Sequence, residues 1–180
     1  MNIDHHPKWF WRWSLTSEHS SDLHFALELV GNWGSGAGPA VETWIEAGAS
    51  WKYLDNGSNL GTAWRASGFN DATWASGAAI LGYGDGHEAT TVSYGSDPNN
   101  KYITTYFRKS FTIGDPALYD SFEISATVDD GLVIYLNGVE LARGNMPSGT
   151  ISYTTRASTA IEDTSQTQSF AAAGWLQAGT

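Results

Sequence analysis

The sequence predicts an all-β fold, an antiparallel β-sandwich of jelly-roll type with about eight strands. Three observations lead there. Twenty Gly against five Pro, together with many Thr and Ser, favour short strands joined by turns over helices. Several segments alternate apolar and polar residues, whereas no long segment carries a convincing helical period. Asn137-Gly138 stands between the apolar runs Leu132–Leu136 and Val139–Leu141. That pair is the strongest short-range hairpin signal, because both residues accept positive φ.

Taken in order, the elements begin with Lys8-Trp9-Phe10-Trp11-Arg12-Trp13. As a strand it puts three Trp on one face, suited to a sugar platform, a membrane-interface anchor or an arm packed on the body. Residues 22–30 alternate strictly, with Leu23, Phe25, Leu27 and Leu29 facing one way and Asp22, His24, Ala26 and Glu28 the other. This is a half-buried strand. Gly31 to Pro39 holds four Gly and reads as a flexible connector. Strands are expected at Val41–Glu46, Trp51–Leu54 and, longer, Tyr102–Phe111. Trp64 to Gly86 is richer in turns, and Tyr94 to Asn100 is a polar loop. Phe122, Ile124, Ala126 and Val128 mark the inward face of another strand, ended by a turn at Asp129-Asp130-Gly131. Gln166–Phe170 forms a last strand.

Composition narrows the class. The chain has 180 residues, enough for one domain. At 13% aromatic and 16% charged it can bury a sizeable core. Without Cys there are no disulfides, no thiol catalysis and no Cys-ligated zinc. A net charge of -10 opposes nucleic acid and anionic membranes as partners, and favours neutral ligands such as sugars or cations such as calcium. No apolar run approaches the ~20 residues that span a membrane. The N-terminus lacks the pattern of a signal peptide, so a secreted form would have its signal on a longer parent chain or already removed.

The candidate chemistry lies in turns. Asp85, His87 and Glu88 share a Gly-rich loop, which reads as a small polar site for a metal or catalysis, or as a solvated loop tip. Asp129 and Asp130 are the candidate metal ligands, where paired carboxylates would suit a structural Ca2+; the other reading is a tight turn capping its own backbone. His5, His6, His19 and His24 cluster near the N-terminus without diagnostic spacing. There is no nucleophile elbow, no zinc-protease helix motif and no phosphate-binding Gly-Lys-Ser. Sugar recognition needs aromatic faces beside planar polar groups. The carbohydrate-binding candidates are Trp64, Tyr83, Asp85, His87, Tyr94, Arg143 and Asn145, while Trp74 and Phe107 are expected to pack in the core.

Asp71-Ala72-Thr73-Trp74, Leu81-Gly82-Tyr83-Gly84-Asp85, Thr105-Tyr106-Phe107-Arg108-Lys109, Asp129 through Gly138, and Arg143-Gly144-Asn145-Met146-Pro147 occur in that order. Together they resemble the galactose-binding-like β-sandwich module of large secreted bacterial proteins. In those proteins such modules accompany phosphoesterases, glycoside-degrading domains and cell-surface repeats. The resemblance spans roughly residues 44–180 and implies an extracellular or cell-surface setting. One feature departs from the family's order. The strand that usually closes such a module looks like residues 20–29, which here come first. The chain thus resembles a slice through a tandem array, with residues 1–31 as an arm and strand, 32–43 as connector and 44–180 as the module. Residues 20–30 would complete their own sandwich or fill the open sheet of a neighbouring chain.

The expectation is a non-catalytic carbohydrate-binding or accessory module whose partner is a neutral polysaccharide. The alternatives are an assembly module that self-associates through its N-terminal strand, and a polysaccharide- or ester-acting hydrolase. Nucleic-acid binding and membrane insertion are not expected.

Overall fold

The computed structural model describes residues 23–34 and 41–176. The aromatic run at residues 8–13, His5, His6, His19 and residues 35–40 of the connector lie outside the described residues. In chain order the described strands are β1 Leu23–Trp33, β2 Val41–Ile45, β3 Ser50–Leu54, β4 Ala75–Ala78, β5 Leu81–Tyr83, β6 Thr90–Thr91, β7 Tyr106–Arg108, β8 Tyr119–Asp129, β9 Leu132–Leu136, β10 Val139–Gly144 and β11 Thr164–Ala171. The only helical elements among the described residues are 3-10 turns at Ala63–Arg65 and Pro116–Leu118.

The largest sheet has the order β11-β8-β1-β5-β6, with β2 also paired to β1. β1 is its centre. One edge pairs with β8 from His24 to Trp33. The other edge is shared, by β5 at Leu23–Phe25 and by β2 at Leu29–Asn32. All pairings are antiparallel except the short one between β5 and β6. The remaining strands form a β4-β3-β7 sheet and a β9-β10 hairpin.

The alternation of β1 explains its place. Leu23, Phe25, Leu27 and Leu29 are each at most 2% exposed and join the main core. Phe25 stacks on Phe107 and meets Trp51 edge-on, so the central strand packs against the β4-β3-β7 sheet. β9 is buried on both faces, as its unbroken apolar run requires. Leu132, Ile134 and Leu136 join the main core. Val133 and Tyr135 enter a second cluster with Trp64, Trp74, Tyr106 and Ile151. This layering of an all-β chain is compatible with a β-sandwich. Asn137 and Gly138 turn β9 into β10 with positive φ at both residues, as the dipeptide predicts.

Three local expectations differ from the structure. Strand pairing in Tyr102–Phe111 is confined to β7, because the flanking residues bond to loops: Tyr102 N–H to Tyr94 and Thr104 Oγ1 to Tyr153. The turn expected at Asp129-Asp130-Gly131 is a bend at Asp130 that carries the chain out of the sheet. Both edges of β8 are taken, by β1 and β11, so the chain must leave the sheet there and start β9 elsewhere. His24, on the nominally polar face of β1, is 0% exposed.

Candidate metal centre

His24 is enclosed because two loops close over that face of β1. Its cross-strand partners are Asp129 on β8 and Gly82 on β5. Gly82 makes room for the ring, since a Cβ there would lie 2.8 Å from His24 Cδ2 and 1.9 Å from the Leu23 carbonyl oxygen. Beyond β5 the chain turns back through Gly84 and Gly86, both at positive φ, and brings Asp85, His87 and Glu88 over the imidazole. The residue before β11 adds Asp163.

The contacts are specific. His24 Nε2 lies 3.1 Å from Glu88 Oε1, and Nδ1 lies 2.9 Å from Asp163 Oδ1. Asp85 Oδ2 is 3.4 Å and Asp129 Oδ2 3.9 Å from the same Nδ1. His87 Nε2 stands 3.6 Å from Asp163 Oδ2, and its ring centroid is 4.6 Å from that of His24. One donor atom from each of His24, Asp85, His87 and Asp163 lies within 4.8 Å of all the others.

Electrostatics follow from this geometry. Burial alone would push His24 down, but the hydrogen bonds to Glu88 and Asp163 and the charges of Asp163 and Asp85 raise it above an ordinary histidine. Glu88 is held below the usual carboxylate range by its own backbone N–H, by the His24 ring and by the Asp85 N–H, which donates to Oε1 at 3.0 Å. An ionised Glu88 only accepts, so His24 Nε2 carries a proton and donates. That fixes the ring with Nδ1 aimed at Asp85, Asp163 and His87. A carboxylate that orients a histidine toward three further donor groups is an arrangement that could hold a metal ion, with Glu88 as the supporting group.

The residues expected to bind carbohydrate do not form one surface. Trp64 is 0% exposed and lies between Tyr106 and Tyr135, so neither ring face is open to a sugar. Tyr83 is 6% exposed, with Tyr94 against it edge-on and Lys101 Nζ 4.7 Å from its centroid. Arg143 chelates Glu140 and donates to the carbonyls of Pro147 and Gly149. Asn145 donates to the carbonyls of Asp130 and Thr159 and accepts from Thr159 Oγ1. Both are engaged in holding loops. Only Asp85 and His87 enter the polar cluster.

Asp129 and Asp130, the expected metal pair, diverge. Asp129 faces His24, while Asp130 Oδ1 accepts the Ile161 N–H and ties the corner to the segment before β11. The sequence groups Asp85, His87 and Glu88, but places His24 with the N-terminal histidines and does not single out Asp163. The signal for His24 was a lone histidine within an apolar strand; Asp163 carries none, since it arrives across 139 residues. Comparison with known proteins finds no matching family model, no matching curated protein and no matching solved structure.

Proposed function

We propose that the chain is a non-catalytic β-sandwich module, of the jelly-roll, galactose-binding-like kind its motifs resemble, that holds one divalent transition-metal ion at His24, Asp85, His87 and Asp163. The observation that carries this reading is the four-donor cluster beside a buried, Glu88-oriented imidazole. A tetrahedral ion with bonds of ~2.0–2.2 Å needs donors about 3.3–3.6 Å apart. The four donors lie within 4.8 Å of one another, so a pair at that limit draws in by about 1 Å to reach that spacing. Two imidazoles with two carboxylates suit zinc, whereas calcium takes roughly 6–8 oxygens. Four protein ligands fill the shell, which favours a structural role over a catalytic one. The ion would fasten the β5–β6 loop and the start of β11 to the central strand. The accessory setting in an extracellular protein belongs to the same reading and rests on the resemblance alone.

Titration of the chelator-treated protein with zinc chloride tests it. One equivalent should bind. At a free concentration near 100 times Kd the stabilisation is ~2.7 kcal/mol, or about 5–10 °C in Tm for a chain of this size. Equimolar calcium should leave Tm unchanged. His87→Asn and Asp163→Asn, both on exposed loops, should abolish the shift while the metal-free protein stays folded. Absence of zinc binding, or full binding by both variants, overturns the assignment.

A further inference from the structure

A second site lies on the other face of the β4-β3-β7 sheet. Lys52 on β3 and Arg108 on β7 are direct cross-strand partners and so share a face. With Phe69, Asp71, Ser67, Lys109 and Ser110 they line a cavity of about 340 Å³. That lies within the ~300–1,000 Å³ typical of small-ligand pockets.

The three cations do different things. Arg108 is 0% exposed and engaged in construction of the wall. Its Nε donates to Asp71 Oδ2 at 2.8 Å, and its Nη groups donate to the carbonyls of Trp64, Ala66 and Phe69. This pins the 64–69 loop and sets the Phe69 ring 5.1 Å from the guanidinium. Asp71 is thereby used on Arg108. Among the described residues Lys52 and Lys109 have carbonyl oxygens as partners, Trp74 at 3.4 Å and Ser50 at 2.9 Å. Among the described residues no carboxylate lies within ion-pair distance of either. Burial holds Lys109 below its ordinary value with no acid to oppose it. In a chain with 19 acidic and only 9 basic residues, a concavity lined by Lys52, Lys109 and Arg108 with Asp71 as its one carboxylate, already paired with Arg108, is a local exception to the net charge.

We infer that this cavity binds a carboxylate-bearing sugar, a uronic acid unit of an acidic glycan, with Lys52 and Lys109 meeting the carboxylate. A carboxylate supplies the charge that both ammonium groups lack. The half-buried Phe69 ring, with the Arg108 guanidinium over it and Trp74 against it, gives the cavity an apolar border for the C–H side of a pyranose, and Ser67 and Ser110 add polar lining for its hydroxyls. Screening confines the effect of distant acids, since the Debye length is about 8–10 Å in physiological salt. The site is separate from the metal centre and does not depend on it.

The test is calorimetric titration of the full chain with trigalacturonate, with a neutral galactose trisaccharide and with acetate, each with zinc present and with chelator present. Trigalacturonate should bind under both conditions, at least tenfold tighter than the neutral sugar or acetate, and more weakly as salt is raised. Lys52→Met and Lys109→Met should each lower its affinity at least fivefold without changing Tm. Phe69→Leu, which keeps apolar volume but removes the ring, should weaken trigalacturonate more than acetate. Equal binding of the neutral sugar overturns the role of the lysines, and acetate matching trigalacturonate overturns the sugar. Unaltered binding by both lysine variants overturns the site, whatever the zinc titration shows.

Discussion

Asp85, His87 and Asp163 can converge only because His24 has somewhere to sit, and Gly82 supplies that space. Gly82→Ala forces a Cβ into the Leu23 carbonyl and the imidazole. It should lower stability by about 1–3 kcal/mol in urea unfolding, as overpacking does, and reduce the zinc-induced rise in Tm. Gly48→Ala, with nothing within 4 Å of its Cβ, is the control and should change neither. A second residue-level prediction concerns Tyr119, whose hydroxyl donates to Glu42 Oε2. Burial and the Glu42 carboxylate push it up to about 12. In the unfolded chain the phenol loses its proton near pH ~10. Between these values the unfolded state binds fewer protons, so stability is intact below pH ~10 and falls as pH rises toward 12. The loss amounts to roughly 2–3 kcal/mol. Tyr119→Phe should be less stable at neutral pH by about 1–3 kcal/mol, since Glu42 loses its donor. Its deficit should shrink above pH ~10, so that the two pH profiles converge. Parallel profiles would show that Tyr119 does not titrate in this window.

At the scale of elements, β1 decides most. It pairs with three strands and supplies Leu23, Phe25, Leu27 and Leu29 to the core and His24 to the metal cluster. Burying each of the four side chains contributes ~1.5–3 kcal/mol, so the strand's share is comparable with the stability of a whole domain. A fragment of residues 32–180 would bare the edges of β5 and β8 and the apolar face between them. It should aggregate or show no cooperative melting transition, read by size-exclusion chromatography and circular dichroism. A soluble, folded, monomeric fragment would contradict this. β9 shows how a short element is held. Five residues suffice because both faces are buried, one in each core cluster.

Over the whole molecule, the surplus of acidic groups opposes compaction. With a net charge of -10 the folded chain repels itself, and salt screens that repulsion as the Debye length falls from ~30 Å at 0.01 M to ~3 Å at 1 M. Tm of the chelator-treated protein should therefore rise with sodium chloride, the opposite of the weakening salt brings to the anionic-ligand site. A Tm that falls with added salt would mean that paired charges outweigh the surplus. The charge of the whole is not the charge of each part. Net acidity pointed to neutral ligands and cations, and the cavity at Lys52 and Lys109 is positive nonetheless.

How much was legible in the sequence follows from the range of each force. The period-two pattern of residues 23–29, the run Leu132–Leu136 and the pair Asn137-Gly138 determined the all-β class, the central strand's apolar face and the β9–β10 turn. Those signals are local, carried by side-chain alternation and backbone φ. Tertiary structure alone decided that β1 lies between β5 and β8, because register against distant strands depends on cores that exist only once the chain is closed. It also decided which polar residues matter. Trp64 and Tyr83 looked open to a sugar and are enclosed; Arg143 and Asn145 looked free and hold loops. His24 looked like a solvent-facing residue of an amphipathic strand, and became the buried pivot when loops 61 and 139 residues further along brought Asp85 and Asp163 to its ring.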